Sequence, residues 1–271
     1  GSPRVPLAPT PPSTDEYSKW RVVLCGCVAV HGVLGMLYSQ GLLHPSLVAE
    51  FGPSIDTDPE ARISAVYACS VVSFKGGSAF AGRFVERHGA RKAIGIGSVG
   101  VLISAVLASR ARSLPELYAT AGLLYGVSLS LVNNAGFSLP SMHDFGPRSG
   151  LAQALVSVGS GVGHMALSCF YGAGQARGLG WRPLLLGAGL WAGLLALCAA
   201  WALPEAGALV HASTRPPRTQ CCGRGGLHDL SPFFKDHDFA CLAASVMLAG
   251  SSFFSQFEFL GATAEALGAT A

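Results

Sequence analysis

Seven stretches of roughly 20 predominantly apolar residues dominate the chain, at 20–43, 63–82, 93–109, 117–140, 151–172, 183–203 and 239–260. A helix needs about that length to cross a hydrocarbon core of about 30 Å, so the pattern predicts an all-α, polytopic membrane protein. Composition points the same way. Of 271 residues, 50% are apolar and only 12% charged, with 35 Gly and a net charge of +3. A soluble domain carries about a quarter charged residues and about 7% Gly. The low charge argues against a soluble globular protein and the high apolar content against a disordered chain. The small net charge leaves no basis for nucleic-acid binding.

Pro, Gly and charged residues punctuate the gaps, as at His44-Pro45, Gly52-Pro53, Asp58-Pro59 and Gly146-Pro147. Counting Lys and Arg by alternate gaps orients the chain, because basic residues concentrate on the cytoplasmic side. With a cytoplasmic N-terminus the inside set holds twelve (Arg4, Lys19, Arg21, Arg83, Arg87, Arg91, Lys92, Arg148, Arg215, Arg218, Arg224, Lys235). The outside set then holds five (Arg62, Arg110, Arg112, Arg177, Arg182), and Lys75 lies within a span. Residues 1–19 are polar and Pro-rich, lack the apolar core of a signal peptide, and are expected to form a disordered cytoplasmic tail. Residues 20–203 are expected to form a six-helix bundle, 204–238 a polar cytoplasmic linker, and 239–271 a further helix. Six of the eight cysteines fall in spans as small apolar filler; Cys221-Cys222 lies in the linker beside Arg218 and Arg224, where palmitoylation is an option.

Two patterns carry little chemistry. Gly95, Gly97 and Gly100 match the dinucleotide fingerprint GxGxxG, which has meaning only between a strand and a helix. Here they sit inside an apolar span, where small residues serve close helix packing. Asp236, His237 and Asp238 suit a solvated helix start better than a metal site. The chain has no Walker loop, His-Glu-x-x-His, GxSxG or Asn-x-Ser/Thr sequence, so neither an enzyme nor a cofactor is expected.

The gap after the second span reads Gly82-Arg-Phe-Val-Glu86-Arg87-His-Gly89-Ala-Arg91-Lys92. Gly82 is expected to end the helix where a neighbour approaches, and Gly89 to allow a tight reversal. Glu86 is expected to pair with Arg87 or a helix terminus, and Arg91 and Lys92 to anchor the cytoplasmic face. The spacing resembles the signature loop between helices 2 and 3 of the major facilitator superfamily, with Glu86 where the superfamily usually has Asp. Arg148-x-x-Leu151-Ala152-x-x-Leu155-x-x-x-Gly159-Ser160-x-Val162-Gly163 is similar to the helix 4–5 region of monocarboxylate transporters and oxalate/formate antiporters. Tyr38-Ser39-x-Gly41 with Pro45 and Leu47, Phe51-Gly52, and Gly180-Trp181-Arg182 are similar to further parts of that branch. The resemblance implies two six-helix bundles with a substrate site between them near the midplane. On that scale the chain amounts to about half a carrier plus one helix of a C-terminal half needed for transport. It also implies alternating access for a small organic anion, coupled to a proton or to an exchanged anion. Animal monocarboxylate transporters carry a lysine near the outer end of helix 1, and here Tyr38 takes that place. A truncated non-transporting isoform or a seven-helix receptor is the alternative.

Polar residues inside a membrane mark function by default, since leaving them in lipid is expensive. In the fifth span Gln153, Ser157, Ser160, His164 and Ser168 recur at three- and four-residue steps, forming one stripe. Such a stripe suits the wall of an aqueous cavity, and serines also mark helix contacts. His31, Gly35 and Tyr38 share a face of the first span, where His31 could exchange a proton near neutral pH or serve packing. Asn133 and Asn134 are too polar to face lipid and either bind substrate or join helices. Lys75 is a full charge well inside the first six spans. It is either a counter-ion for a carboxylate or a side chain that snorkels to the cytoplasmic face. Glu258, near the end of the seventh span, is read as interfacial.

Overall fold

The computed structural model describes residues 14–203 apart from 56, 57 and 144. Most of the expected tail, the 204–238 linker with Cys221-Cys222 and Asp236-His237-Asp238, and the seventh span with Glu258 lie outside the described residues. Every regular element among the described residues is helical. α1 covers Thr14–Ser39 and continues through a 3₁₀ turn, Gln40–Leu43, into α2, His44–Phe51. α3 runs Pro59–His88 and α4 Ala90–Ser109. α5, Leu114–Leu117, a wide π segment, Tyr118–Leu124, and α6, Tyr125–Ser138, form one rod. α7 spans Ser149–Ala176 and α8 Trp181–Ala202.

Four of these are long and apolar enough to cross a membrane by themselves, within Tyr17–Ser54, Ala90–Ser109, Gly146–Ala176 and Trp181–Ala202. The second and fourth expected spans are present as helices that fall outside this set. Lys75, with the Ser and Gly residues around it, lowers the apolar character of α3, and the fourth rod changes pitch at its π segment. That wide turn frees carbonyls from the α-helical ladder. Ser104 Oγ on α4 donates to Thr120 O at 3.0 Å and Ser70 Oγ on α3 to Ala121 O at 2.7 Å, so the irregular backbone is satisfied by neighbouring helices, as a membrane interior requires. α1 begins at Thr14, six residues before the apolar stretch, because hydropathy marks where a helix meets lipid and not where it starts. At α3 the start is chemically defined: Pro59 takes the first turn and the Asp58 side chain accepts from Ala61 N at 3.1 Å.

The packing has an internal two-fold pattern. α1 packs on α7 and α8, α6 packs on α3 and α4, and α4 and α8 meet each other. α1 therefore corresponds to α6, α3 to α7 and α4 to α8, a nested three-plus-three repeat. Both equivalent contacts are made by glycine against backbone. A methyl group at Gly163 of α7 would lie 1.8 Å from His31 O of α1, and one at Gly126 of α6 would lie 2.4 Å from Ser70 O of α3. Two of the three glycines in the GxGxxG run, Gly97 and Gly100, are pressed on α6 at Ser128, in keeping with the packing expectation; Gly95 faces open space.

One end of the bundle carries Lys19, Arg21, Arg83, Arg87, Arg91, Lys92 and Arg148 and is called the basic end below. The other carries α2 and the α7–α8 turn and is called the far end. There the Arg112 backbone amide donates to Glu116 Oε2 at 2.7 Å, which holds that carboxyl below the usual carboxylate range.

Candidate functional site

Close approach of α1 and α7 brings a polar cluster together near the far end. Ser39, the last residue of α1, is buried. Its hydroxyl lies 2.8 Å from Gly35 O, 3.1 Å from His164 Nδ1, and 3.4 Å from Ser168 Oγ. A hydroxyl has one proton to give. His164 O lies 3.3 Å away as a further acceptor; with the proton on Gly35 O, the shortest of these contacts, Ser39 Oγ is an acceptor for the Nδ1–H tautomer of His164. The Tyr38 ring meets His164 edge-on, centroids 6.1 Å apart. Gly35 makes the approach possible, since a methyl group there would sit 2.4 Å from the Gly163 carbonyl carbon. The cluster joins Tyr38, His164 and Ser168 from the sequence reading with Ser39, which periodicity on α7 could not identify because it stands on another helix 125 residues away. Its signal was its place beside Tyr38 in the Tyr38-Ser39 pair.

The remaining candidates are spread more widely. His31 sits between α7 and α8, its ring edge-on to Trp191 at 5.0 Å and hydrogen-bonded to the Gly159 backbone of α7, so the expected His31–Gly35–Tyr38 face meets α7 along its length and α8 at His31. Ser157 donates to Gln153 O at 3.2 Å and Ser160 to Ser157 O at 2.8 Å, which satisfies these hydroxyls within α7. Gln153 and Ser160 are half-buried and Ser157 exposed. On α6, Asn134 Nδ2 donates to Ser130 O at 2.7 Å, while Asn133 Oδ1 is buried without a hydrogen-bond partner among the described residues. Lys75 is exposed on α3, its Nζ 4.9 Å from the Phe74 ring centroid. No carboxylate pairs with it among the described residues.

In the 82–92 segment, α3 continues through Gly82 to His88, so the helix does not end at Gly82 as expected, and a methyl group there would touch nothing within 4 Å. Gly89 makes the reversal at φ +85°, a conformation open mainly to glycine. Glu86 and Arg87 are exposed, and no ion pair joins them among the described residues. Adjacent positions on a helix point about 100° apart, which keeps the two charges from meeting. Lys92 is exposed and Arg91 half-buried at the basic end.

A second polar constellation ties the far end together. Glu50 of α2 accepts from Trp181 Nε1 at 2.6 Å and is ion-paired with Arg182, both at the start of α8. Arg182 Nη1 also donates to Ser109 O at the end of α4, at 3.1 Å, and Gln175 Nε2 of α7 to Leu42 O at 2.7 Å. The Gly180-Trp181-Arg182 motif thus clamps α2, α4 and α8. Glu50, an acid in a short interhelical segment, had no sequence signal connecting it to a motif 131 residues away.

Comparison with known proteins agrees with this architecture. A family model described as Major Facilitator Superfamily matches residues 24–270. Monocarboxylate transporter 13 of Bos taurus is 30% identical over 149 residues, 55% of this chain and 34% of that protein. Monocarboxylate transporter 13 of Rattus norvegicus is 28% identical over 167 residues, 62% of this chain and 37% of that protein. The chain spans about a third of the length of the curated relatives it matches. With apolar helices, a nested repeat in the packing, and a match over residues 24–270, this multi-pass integral membrane protein belongs to the Major Facilitator Superfamily.

Proposed function

We propose that this protein is a secondary transporter that moves a small organic anion, of the monocarboxylate or oxalate/formate kind, by alternating access. Lys75 carries the reading. An ammonium within a membrane helix is expensive unless it faces a bundle interior or a water-filled path, and this one has no protein carboxylate beside it among the described residues. A substrate carboxylate supplies the counter-charge. α1, α3, α6 and α7 line the path in this reading. Asn133, with its buried Oδ1, and the Tyr38–Ser39–His164 cluster are its further polar contacts. His31 or His164 takes the proton if the coupling ion is H⁺. The N-terminus is cytoplasmic, following the Lys and Arg bias, and the segment from Gly82 through Glu86, Arg87, Gly89 and Arg91 to Lys92 helps close the cytoplasmic side. A second six-helix bundle completes the carrier.

The test is uptake of labelled lactate, formate and oxalate by cells expressing the full-length protein and its Lys75→Ala variant. Loss of uptake at unchanged surface expression is the expected result. Undiminished uptake by the variant removes the counter-ion role. Uptake no greater than in mock-transfected cells for all three anions removes this substrate class.

A further inference from the structure

α7 and α8 are consecutive and joined by only four residues, 177–180, yet α7 packs chiefly on α1, α8 packs on α4 and α1, and the two touch each other little. Between them lies a crevice of about 180 Å³ lined by Ala166, Leu167, Phe170, Gly187, Ala188 and Trp191. Its lining is apolar throughout apart from the Trp191 indole nitrogen. α1 supplies the backing: the His31 ring meets Trp191 at 5.0 Å, and Gly32 lies against Ala192, where a methyl group would approach Cα to 2.6 Å. Gly187 keeps the crevice open, since a methyl group there would already be 3.0 Å from the Phe170 ring. Phe170 itself is 42% exposed, so the crevice opens outward, toward what surrounds the bundle in a membrane.

Its charge surroundings are one-sided. Arg177 is exposed on the turn that joins the two helices, seven residues past Phe170, or about 10 Å at 1.5 Å per residue. No carboxylate pairs with Arg177 among the described residues, whereas its neighbour Arg182 is taken by Glu50. A slot that is apolar along its length and ends near a guanidinium fits a molecule with a long apolar chain and an anionic head. We propose that the α7–α8 crevice holds one acyl chain of a net anionic phospholipid, in preference to a zwitterionic one, whose phosphate is met by Arg177. The lipid occupies a defined position instead of exchanging freely with the bilayer, because the slot is closed at its back by α1 and the phosphate pairs with a guanidinium that can bind it bidentately.

Trp191 reports on the site directly, since bromine on an acyl chain quenches an indole it touches. The full chain is placed in nanodiscs of phosphatidylcholine doped with increasing fractions of phosphatidylglycerol carrying brominated chains. Subtracting the signal of the Trp191→Phe variant isolates Trp191. Trp201, 81% exposed at the other end of α8, isolated through Trp201→Phe, supplies the bulk-lipid curve. Half-maximal quenching of Trp191 is expected at a brominated fraction several-fold below that for Trp201. Gly187→Leu, which fills the slot, is expected to bring the two curves together, and Arg177→Gln to raise the half-point for Trp191 several-fold. Because Arg177 is on an exposed turn, its variant keeps the test available if Gly187→Leu folds poorly. Superimposable curves in the unaltered protein overturn the proposal. So does a Trp191 that no brominated lipid quenches, the result expected if another helix or a second copy of the chain fills the crevice. An unchanged half-point in Arg177→Gln overturns the headgroup assignment.

Discussion

Adding one methyl group to Gly163 is a sharp test of how α1 and α7 are held. The new carbon would lie 1.8 Å from His31 O and 2.6 Å from His31 C. Both are backbone atoms that cannot swing away. Ordinary contact begins at 3.4 Å, so the helices must part by more than an ångström, and the Ser39–His164 hydrogen bond beside them lengthens beyond reach. Overpacking of this kind costs about 1–3 kcal/mol, occasionally more. The helix propensity of Ala over Gly offsets up to about 1 kcal/mol of it. A net loss of about 2 kcal/mol is expected because two backbones collide, which at about 2–4 °C per kcal/mol lowers Tm by about 4–8 °C. Gly161→Ala is the internal control: it is on the same helix, two residues away, and a methyl group there meets nothing within 4 Å. It should leave Tm unchanged or raise it. The assay is thermal unfolding in detergent followed by tryptophan fluorescence. Equal Tm values for the two variants would show that the α1–α7 approach does not depend on the missing side chain, and would refute the reasoning.

The loop glycines separate in the same way. Gly89→Ala, at φ +85°, is expected to lose about 1–3 kcal/mol to backbone strain, whereas Gly82→Ala, inside α3 with open space beside it, should be neutral or stabilising; unfolding temperatures compare them. Glu50→Gln is expected to destabilise the far-end clamp by about 1 kcal/mol, in the upper range of exposed pairs, because Arg182 and Trp181 share the carboxylate. A double-mutant cycle with Arg182→Gln should show coupling, and strictly additive losses would show that the two side chains act independently. Ser39→Ala leaves His164 without its hydroxyl partner and should reduce anion uptake more than Ser160→Ala, whose hydroxyl is satisfied within α7; equal uptake by both removes Ser39 from the site.

What could be read from the residues alone was whatever depends on distance along the chain. Apolar length placed six rods within a few residues, and Gly89 announced its reversal, because membrane crossing and positive φ each leave a local mark. Features that arise where two helices meet leave no such mark. Ser39 is an ordinary helix-terminal serine until Gly35 and Gly163 bring His164 to it, and Glu50 is an ordinary acid of the short helix α2 until Arg182 folds back over it. The α7 stripe shows the limit of periodicity. Gln153, Ser157, Ser160, His164 and Ser168 do share a flank, but only the last two reach Ser39, since the others lie along α7 toward its opposite end. The π segment was hidden for a similar reason: the carbonyls freed by its wide turn are taken up by Ser70 and Ser104 on other helices, far from Tyr118–Leu124 in the sequence.

The packing order also bears on how the protein is made. Among the helices of this bundle α1 leaves the ribosome first, yet its main neighbours, α7 and α8, are the last of the bundle. His31 and Gly163 are 132 residues apart, a delay of roughly 7–26 s at about 5–20 residues per second. Throughout that interval Gly32, Gly35 and His31 are without the surfaces that cover them in the finished bundle, so α1 must wait in the bilayer or beside the insertion machinery. A nascent chain arrested after α6 would have its α3–α4–α6 contacts and a first helix held by α6 alone, giving quality control a clear feature by which to tell an unfinished bundle from a finished one.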